Sequence, residues 1–416
     1  MNIKSKLKIV LFLQFFIWGS WLITFGSYMI NVLHFTGIEV GAVYGTMGIA
    51  SLIMPSLLGI IADKWIPANY LYILCHFISA ITLFLAASIT SPLMMMFVIL
   101  INSFVYMPTI AMSNSISYFS LESNKYDIIN DFPGIRVFGT IGFIIAMWFV
   151  SLLKLELSNI QLYISAVASL LLCACTLLLP KVPVSKKQAG KQSLGSLLGL
   201  DAFVLFKQPR MAIFFLFSVL LGAVLQVTNT FGSPFLHDFA LNPQFKDSLV
   251  VQYPSILLSI SQISEVVFIL FVPFFLKRLG IKYVMLISMI AWAIRFGLFI
   301  YGDPSPIGFI WLFLSMIVYG CAFDFFNISG SIYVEKSVEP KVRNSAQGLF
   351  MTMTNGLGAY LGSMGSGFVV DYFTHDGIKD WPNIWLVFAL YSLILATVFM
   401  FVFKNDQDEF NLKSNG

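Results

Sequence analysis

A few ionisable and amide side chains stand inside long apolar runs, and their types and spacing suit recognition of a polar, ring-bearing, hydroxylated solute. Asp324 lies in MIVYGCAFDFFNISG (316–330), and Glu265 lies in SISQISEVVF (259–268), three residues after Gln262. Arg136 lies in PGIRVFGTIGF (133–143), with Thr140 and Phe143 following on the same helical face. A second amide pair, Gln226 and Asn229, occurs in GAVLQVTNTFG (222–232). Tyr319 and Phe323 form an aromatic stripe with Asp324 at its edge and Asn327 one turn beyond. Flat rings stack on a heterocyclic base, and amides donate and accept toward its edge. An ionised carboxylate accepts two hydrogen bonds from vicinal hydroxyls. Its protonation also responds to desolvation and nearby charge, which makes Asp324 and Glu265 the candidates to carry a coupled proton.

Each residue has a plainer reading. Glu265 and Arg136 would serve as a structural ion pair, the usual fate of intramembrane charges. Gln226, Asn229 and Gln262 would be interhelical hydrogen bonds, each worth about 0.6 to 2 kcal/mol. Tyr319 and Phe323 would be ordinary core or lipid-facing aromatics. Arg295, without a polar companion close in sequence, would snorkel if it lay near a helix end. His34, His76, His237 and His375 lack metal-ligand spacing and take no role. Cys75, Cys173, Cys175 and Cys321 give neither a disulfide framework nor a metal set, so no metal and no cofactor are expected. No nucleophile has a base at helical spacing and no H-E-x-x-H occurs, which argues against an enzyme.

The elements that must position these groups are membrane helices. Of 416 residues 58% are hydrophobic and 11% charged, against about a quarter charged in soluble domains. Twelve apolar segments, near 9–30, 41–62, 70–90, 93–118, 134–153, 159–180, 210–232, 252–276, 281–301, 307–333, 343–370 and 382–403, are long enough to cross a bilayer. The first lacks a small-residue cleavage site and reads as a retained helix. Lysine and arginine concentrate on the side that holds both termini, against only Lys154, Lys246 and Lys379 opposite. The positive-inside rule then puts both termini in the cytoplasm. The net charge of +4 is thereby topological, and nucleic acid is not an expected partner.

The basic interruption 180–210 divides the chain into six-helix bundles 1–180 and 209–404, with a linker 181–208 and a cytoplasmic tail 405–416. PSLLGIIADKWI (55–66) and VPFFLKRLGIKYV (272–284) put charged tight turns at matching places in the two halves. Such parallel halves hold substrate near mid-membrane at their interface. Asp63 and Lys64 would be a cytoplasmic gate contact, or simply a helix cap and a positive-inside anchor. In NGLGAYLGSMGSG (355–367), Gly358, Gly362 and Ser366 allow close helix packing.

With these residues assembled, the sequence resembles the nucleoside:proton symporter family of the major facilitator superfamily. The likeness runs through FLQFFIWGSWLITFGSYM (12–29), LGIIADKW (58–65), INSFVYMPT (101–109), DFPGIRVFGTIGFI (131–144), LLGLDAFVLFK (197–207), SISQISE (259–265), YGCAFDFFNISGS (319–331) and SAQGLFMTMTNG (345–356). Only KNDQDEFNLKSNG (404–416) lies outside it. GIIADKW keeps the superfamily's Gly, Asp and basic residue but lacks the following glycine and basic run. The resemblance implies an all-α, twelve-helix transporter, not an enzyme, in a bacterial inner membrane, taking up purine and pyrimidine nucleosides with protons by alternating access. The expected partners are nucleosides such as uridine, cytidine and adenosine, protons and the lipid bilayer, with the chain a monomer. It also implies a binding set of Arg136, Thr140, Phe143, Gln226, Asn229, Gln262, Glu265, Tyr319, Phe323 and Asp324. A proton-coupled permease for sugars or other hydroxylated solutes is the alternative.

Overall fold

The computed structural model describes residues 2–184, 200–339 and 342–403. Residues 185–199 of the expected linker and the whole expected tail lie outside the described residues. The described residues make twelve membrane crossings. Eight helices are apolar and long enough on their own: α2 (Gly37–Lys64), α3 (Ala68–Ala86), α4 (Pro92–Ser123), α5 (Ile128–Leu152), α7 (Pro209–Asp238), α9 (Val272–Ile300), α10 (Pro306–Ser337) and α12 (Trp381–Val402). The other four crossings are short or broken. They are α1 (Ile3–Gly19, resuming at Phe25–Asn31), α6 (Ile160–Thr176), α8 (Pro254–Ile269) and the composite α11. This last runs through Arg343–Met351, a π-helical stretch Thr352–Gly358, and Ala359–Tyr372.

Local chemistry sets the ends. Thr36 accepts from Glu39 N while the Glu39 side chain accepts from Thr36 N, a reciprocal cap that starts α2. Proline opens α4, α7, α8 and α10, where its missing N–H costs nothing. Gly280 has φ 79° and ψ 170°, so the hydrogen-bonded run Val272–Ile300 turns there. Its first residues complete the eighth crossing and the rest is the ninth, as the charged sequence VPFFLKRLGIKYV suggested. Between α11 and α12 a small hairpin pairs β1 (Thr374–His375) with β2 (Ile378–Lys379) through Asp376 and Gly377, both at positive φ.

Helices α1 to α6 pack chiefly with one another, as do α7 to α12; the groups meet through α2 against α11, α5 against α8, and the end of α1 against α7. On one side of the molecule Lys4 pairs with Asp131 at 2.7 Å, Lys6 Nζ donates to Leu178 O, and Asn69 donates to Pro180 O. That side therefore gathers the N-terminus, the start of α5 and the end of α6. On the far side the two groups are joined. Ser27 and Ser233 hydroxyls lie 2.7 Å apart, Trp148 Nε1 donates to Ser259 Oγ, and Asp371 accepts from Gly37 N and Ile38 N. Glycine-lined contact between α2 and α11 extends inward to Gly48 and Leu52, which meet Gly356. Beyond it α2 exposes Ile53 and Leu57. The molecule is closed at its far side and parts toward the side that holds the N-terminus.

The eleventh-helix glycines divide between two faces. Gly358 and Gly362 meet Val219 O and Ala223 O of α7, inside one group, whereas Ser363 and Gly367 meet Gly41 and Gly37 across the division. Both faces rely on small residues to bring backbones together.

Candidate functional site

Helix α10 starts at a Ser305 cap, which accepts from Gly308 N at 3.1 Å, and runs unbroken past mid-membrane. Its i, i+4 spacing lays Tyr319 and Phe323 parallel, with ring centroids 5.8 Å apart at 3°. Trp292 of α9 meets Tyr319 edge-on at 5.8 Å and 88°. Beside this stripe Asp324 is 5% exposed, and its Oδ2 is buried with no hydrogen-bond donor among the described residues. An orphaned buried carboxylate oxygen is costly, and a proton or a ligand hydroxyl would satisfy it.

The stripe brings α8 into the cluster. Gln262 lies beside the Tyr319 hydroxyl, and Glu265, one turn on, acts electrostatically on both Tyr319 and Asp324. Glu265 also acts on Arg136, which reaches the cluster from α5 in the other group. These two are electrostatic neighbours rather than a closed ion pair, so both keep hydrogen-bonding capacity for a third molecule. Arg136 lies over the Phe15 ring at 4.3 Å. Phe143 is almost buried and meets Trp18 edge-on at 6.2 Å, while Thr140 between them is half-buried. On α7 Asn229 Nδ2 reaches Gln226 Oε1 at 3.5 Å, a loose contact. Those two amides form no hydrogen bond to α8 or α10. Asp63 and Lys64 are exposed at the end of α2, away from this cluster.

Arg295 does not snorkel. It is 2% exposed; Nη1 donates to Ser315 O at 2.8 Å and Ser261 Oγ at 3.3 Å, and the guanidinium lies over Tyr319 at 4.7 Å. A buried cation with no carboxylate among the described residues in contact adds little stability, and an apolar replacement of similar length is often neutral or stabilising. Arg295→Met is therefore expected to hold or raise the melting temperature of the purified protein. It should weaken solute binding about two- to fivefold by freeing the Tyr319 ring. Thermal-shift and equilibrium-binding measurements check the two signs together.

Sequence reasoning missed several groups. Phe15 and Trp18 sit three apart in FLQFFIWGSW and back two of the α5 residues; their aromatic spacing was visible but not their partner. A cavity beside Phe323 is lined also by Trp292, Phe326, Asn327, Thr354 and Asn355. Asn355 stands in the π-helical stretch of α11, a feature that often marks functional sites. Its signal was an amide in an apolar run. His76 is held by Gln14 Oε1 at 2.8 Å, and His237 meets Glu156 at 3.1 Å across the two groups on the far side. Neither histidine could be paired from sequence, since each partner comes from a different helix or loop.

The family model described as "Nucleoside H+ symporter" matches residues 1–408. The xanthosine permease of Escherichia coli K12 is 64% identical over 413 residues, 99% of each chain. The nucleoside permease NupG of the same organism is 60% identical over 404 residues, 97% of this chain and 96% of that one. Crystal structures of NupG and of an aspartate-to-alanine mutant of it superpose with TM-scores of 0.93 and 0.95, covering 97% of this chain and 100% of those. The same all-α, multi-pass arrangement relates this chain to major facilitator transporters of the bacterial inner membrane. The chain belongs to the nucleoside–proton symporter family, and it is a transporter that takes up nucleosides together with protons, not an enzyme.

Proposed function

We propose that a nucleoside binds between the two helix groups at mid-membrane, its base stacked along Tyr319 and Phe323 and its sugar hydroxyls held by Asp324 and Glu265. Gln262, and Gln226 with Asn229, would supply donors and acceptors to the base edge, and Arg136, Thr140 and Phe143 would close the site from α5. The observation that carries this reading is the donorless Oδ2 of Asp324 beside a parallel aromatic pair and a second carboxylate. Asp324 is also the proposed proton carrier, since its protonation would satisfy the same oxygen that a ribose hydroxyl would. The accepted nucleosides would include uridine, cytidine and adenosine, and xanthosine in view of the permease that is 64% identical.

Function would follow from alternating access. In this reading residues 1–180 and 209–404 form the two moving bundles, joined by linker 181–208 and followed by tail 405–416, and the chain works as a monomer. The basic side, with both termini, would face the cytoplasm, so the closed far side is the external gate and the arrangement is the one that releases cargo inward. Asp63 and Lys64 would dock on neighbouring helix ends only when the internal side closes, in keeping with their exposure here. Competition against labelled uridine uptake tests the substrate class. Purine and pyrimidine nucleosides are expected to compete, and bare nucleobases and hexoses to compete far less. Competition by hexoses at nucleoside-like concentrations would overturn the assignment in favour of a general hydroxylated-solute permease.

A further inference from the structure

We propose that Phe15, on α1, is a positioning residue for nucleoside binding that acts by holding the Arg136 guanidinium on its ring face. The proposal rests on the reading that Arg136 touches the substrate. The guanidinium carbon lies 4.3 Å from the Phe15 centroid, within the range of a cation–π contact. No carboxylate among the described residues is in direct contact with Arg136, and Glu265, which acts on it electrostatically, belongs to the opposite group. A long, rotamer-rich side chain in that situation would otherwise sample many orientations at the edge of an open site. A ring beneath the guanidinium plane fixes that plane while leaving the in-plane N–H groups free to donate, which suits bidentate recognition of a ligand's oxygen atoms.

The backbone is shaped for this stack. A Cβ at Gly139, one turn after Arg136, would fall 2.6 Å from Arg136 Nη1 and 2.7 Å from Phe15 Cδ2. A side chain there would push the guanidinium or the ring out of this arrangement. Just beyond that point along α5 the two helices approach to backbone contact, Gly142 meeting Phe12 O and Gly19 meeting Phe143 O. Phe15 is 8% exposed, so its own place is fixed by packing. The same helix sets Trp18 against Phe143, and α1 thus orients two of the α5 residues by one rigid apposition.

The test separates the ring's electrostatics from its bulk. Uridine binding to the purified full-length protein would be measured with Phe15 replaced by phenylalanines of increasing ring fluorination, which keep shape and weaken the negative ring face. The dissociation constant is expected to climb stepwise, and Phe15→Leu to raise it about fivefold. In an Arg136→Gln background, itself weakened, fluorination should change nothing. An affinity that ignores fluorine content while Arg136 is present would overturn the proposal and leave Phe15 as packing. If Arg136→Gln alone leaves affinity unchanged, the assignment of Arg136 to the binding set fails, and the role of Phe15 in binding fails with it.

Discussion

Uridine uptake into sealed vesicles is expected to lose its dependence on an imposed pH gradient in Asp324→Asn. Asparagine matches the carboxylate in size and still offers a hydrogen-bond acceptor, so the stripe of Tyr319 and Phe323 should stand. What it cannot do is bind and release a proton. One pH unit is worth about 1.4 kcal/mol per proton, or about tenfold in accumulation. Wild-type vesicles with an alkaline interior should therefore concentrate uridine by up to about tenfold per coupled proton and pH unit. The variant should equilibrate it. Exchange of external labelled for internal unlabelled uridine, which needs no net proton movement, should persist. The distinction matters because Asp324 is given two tasks by one observation, the buried Oδ2 without a donor. Loss of both exchange and accumulation would mark it as a binding group whose coupling role is unresolved from binding; full accumulation would transfer the proton to Glu265, its electrostatic neighbour.

Much of this arrangement was legible in the chain because a bilayer imposes strong local rules. Apolar runs of sufficient length, charged turns at 62–66 and 276–282, and isolated acids at depth are readable from residue type and spacing alone. The places where the reading stopped share a physical cause. The break of α1 at Ser20–Thr24 follows Gly19, and that of the eighth crossing at Leu270–Phe271 precedes Pro273, yet both lie inside apolar runs that read as single crossings. Arg295 reads as a residue that would snorkel because its partners, Ser315 O and the Tyr319 face, are contributed by α10. Phe15 looked like one more aromatic until Arg136 was laid across it. Spacing along a helix tells which side chains share a face, but not what that face meets.

The far-side seam supplies the second large effect, since its closure depends on the absence of side chains. On α2, Gly41 lies so close to Ser363 O that any Cβ would collide with backbone, and a Cβ at Gly48 would fall 2.6 Å from Tyr360 N and 2.7 Å from Gly356 O. A leucine at Gly41 would press on the closed state alone, because separating α2 from α11 relieves the clash. Overpacking of this kind costs about 1 to 3 kcal/mol, more where backbone cannot move aside. Each 1.4 kcal/mol that falls on only one of two states changes their ratio about tenfold. Gly41→Leu is therefore expected to hold the far side open, to keep uridine binding and to lower uptake at least about tenfold. Gly59→Leu is the control on the same helix, as a Cβ there meets nothing within 4 Å. Asp371→Asn should move the equilibrium in the same direction by a smaller amount, since it weakens a charged cap on the start of α2 that spans the two groups, 2.5 Å to Gly37 N and 2.8 Å to Ile38 N. The measurement is labelling of a cysteine introduced by Ser233→Cys, with a membrane-impermeant maleimide applied from the far side. Ser233 is fully buried against Ser27 when the seam is shut. Labelling should be fastest with Gly41→Leu, intermediate with Asp371→Asn and slow with Gly59→Leu. Equal rates in all three would mean that closure of this face does not depend on the glycine contacts, and the gate would have to be sought at the α5 and α8 contact instead.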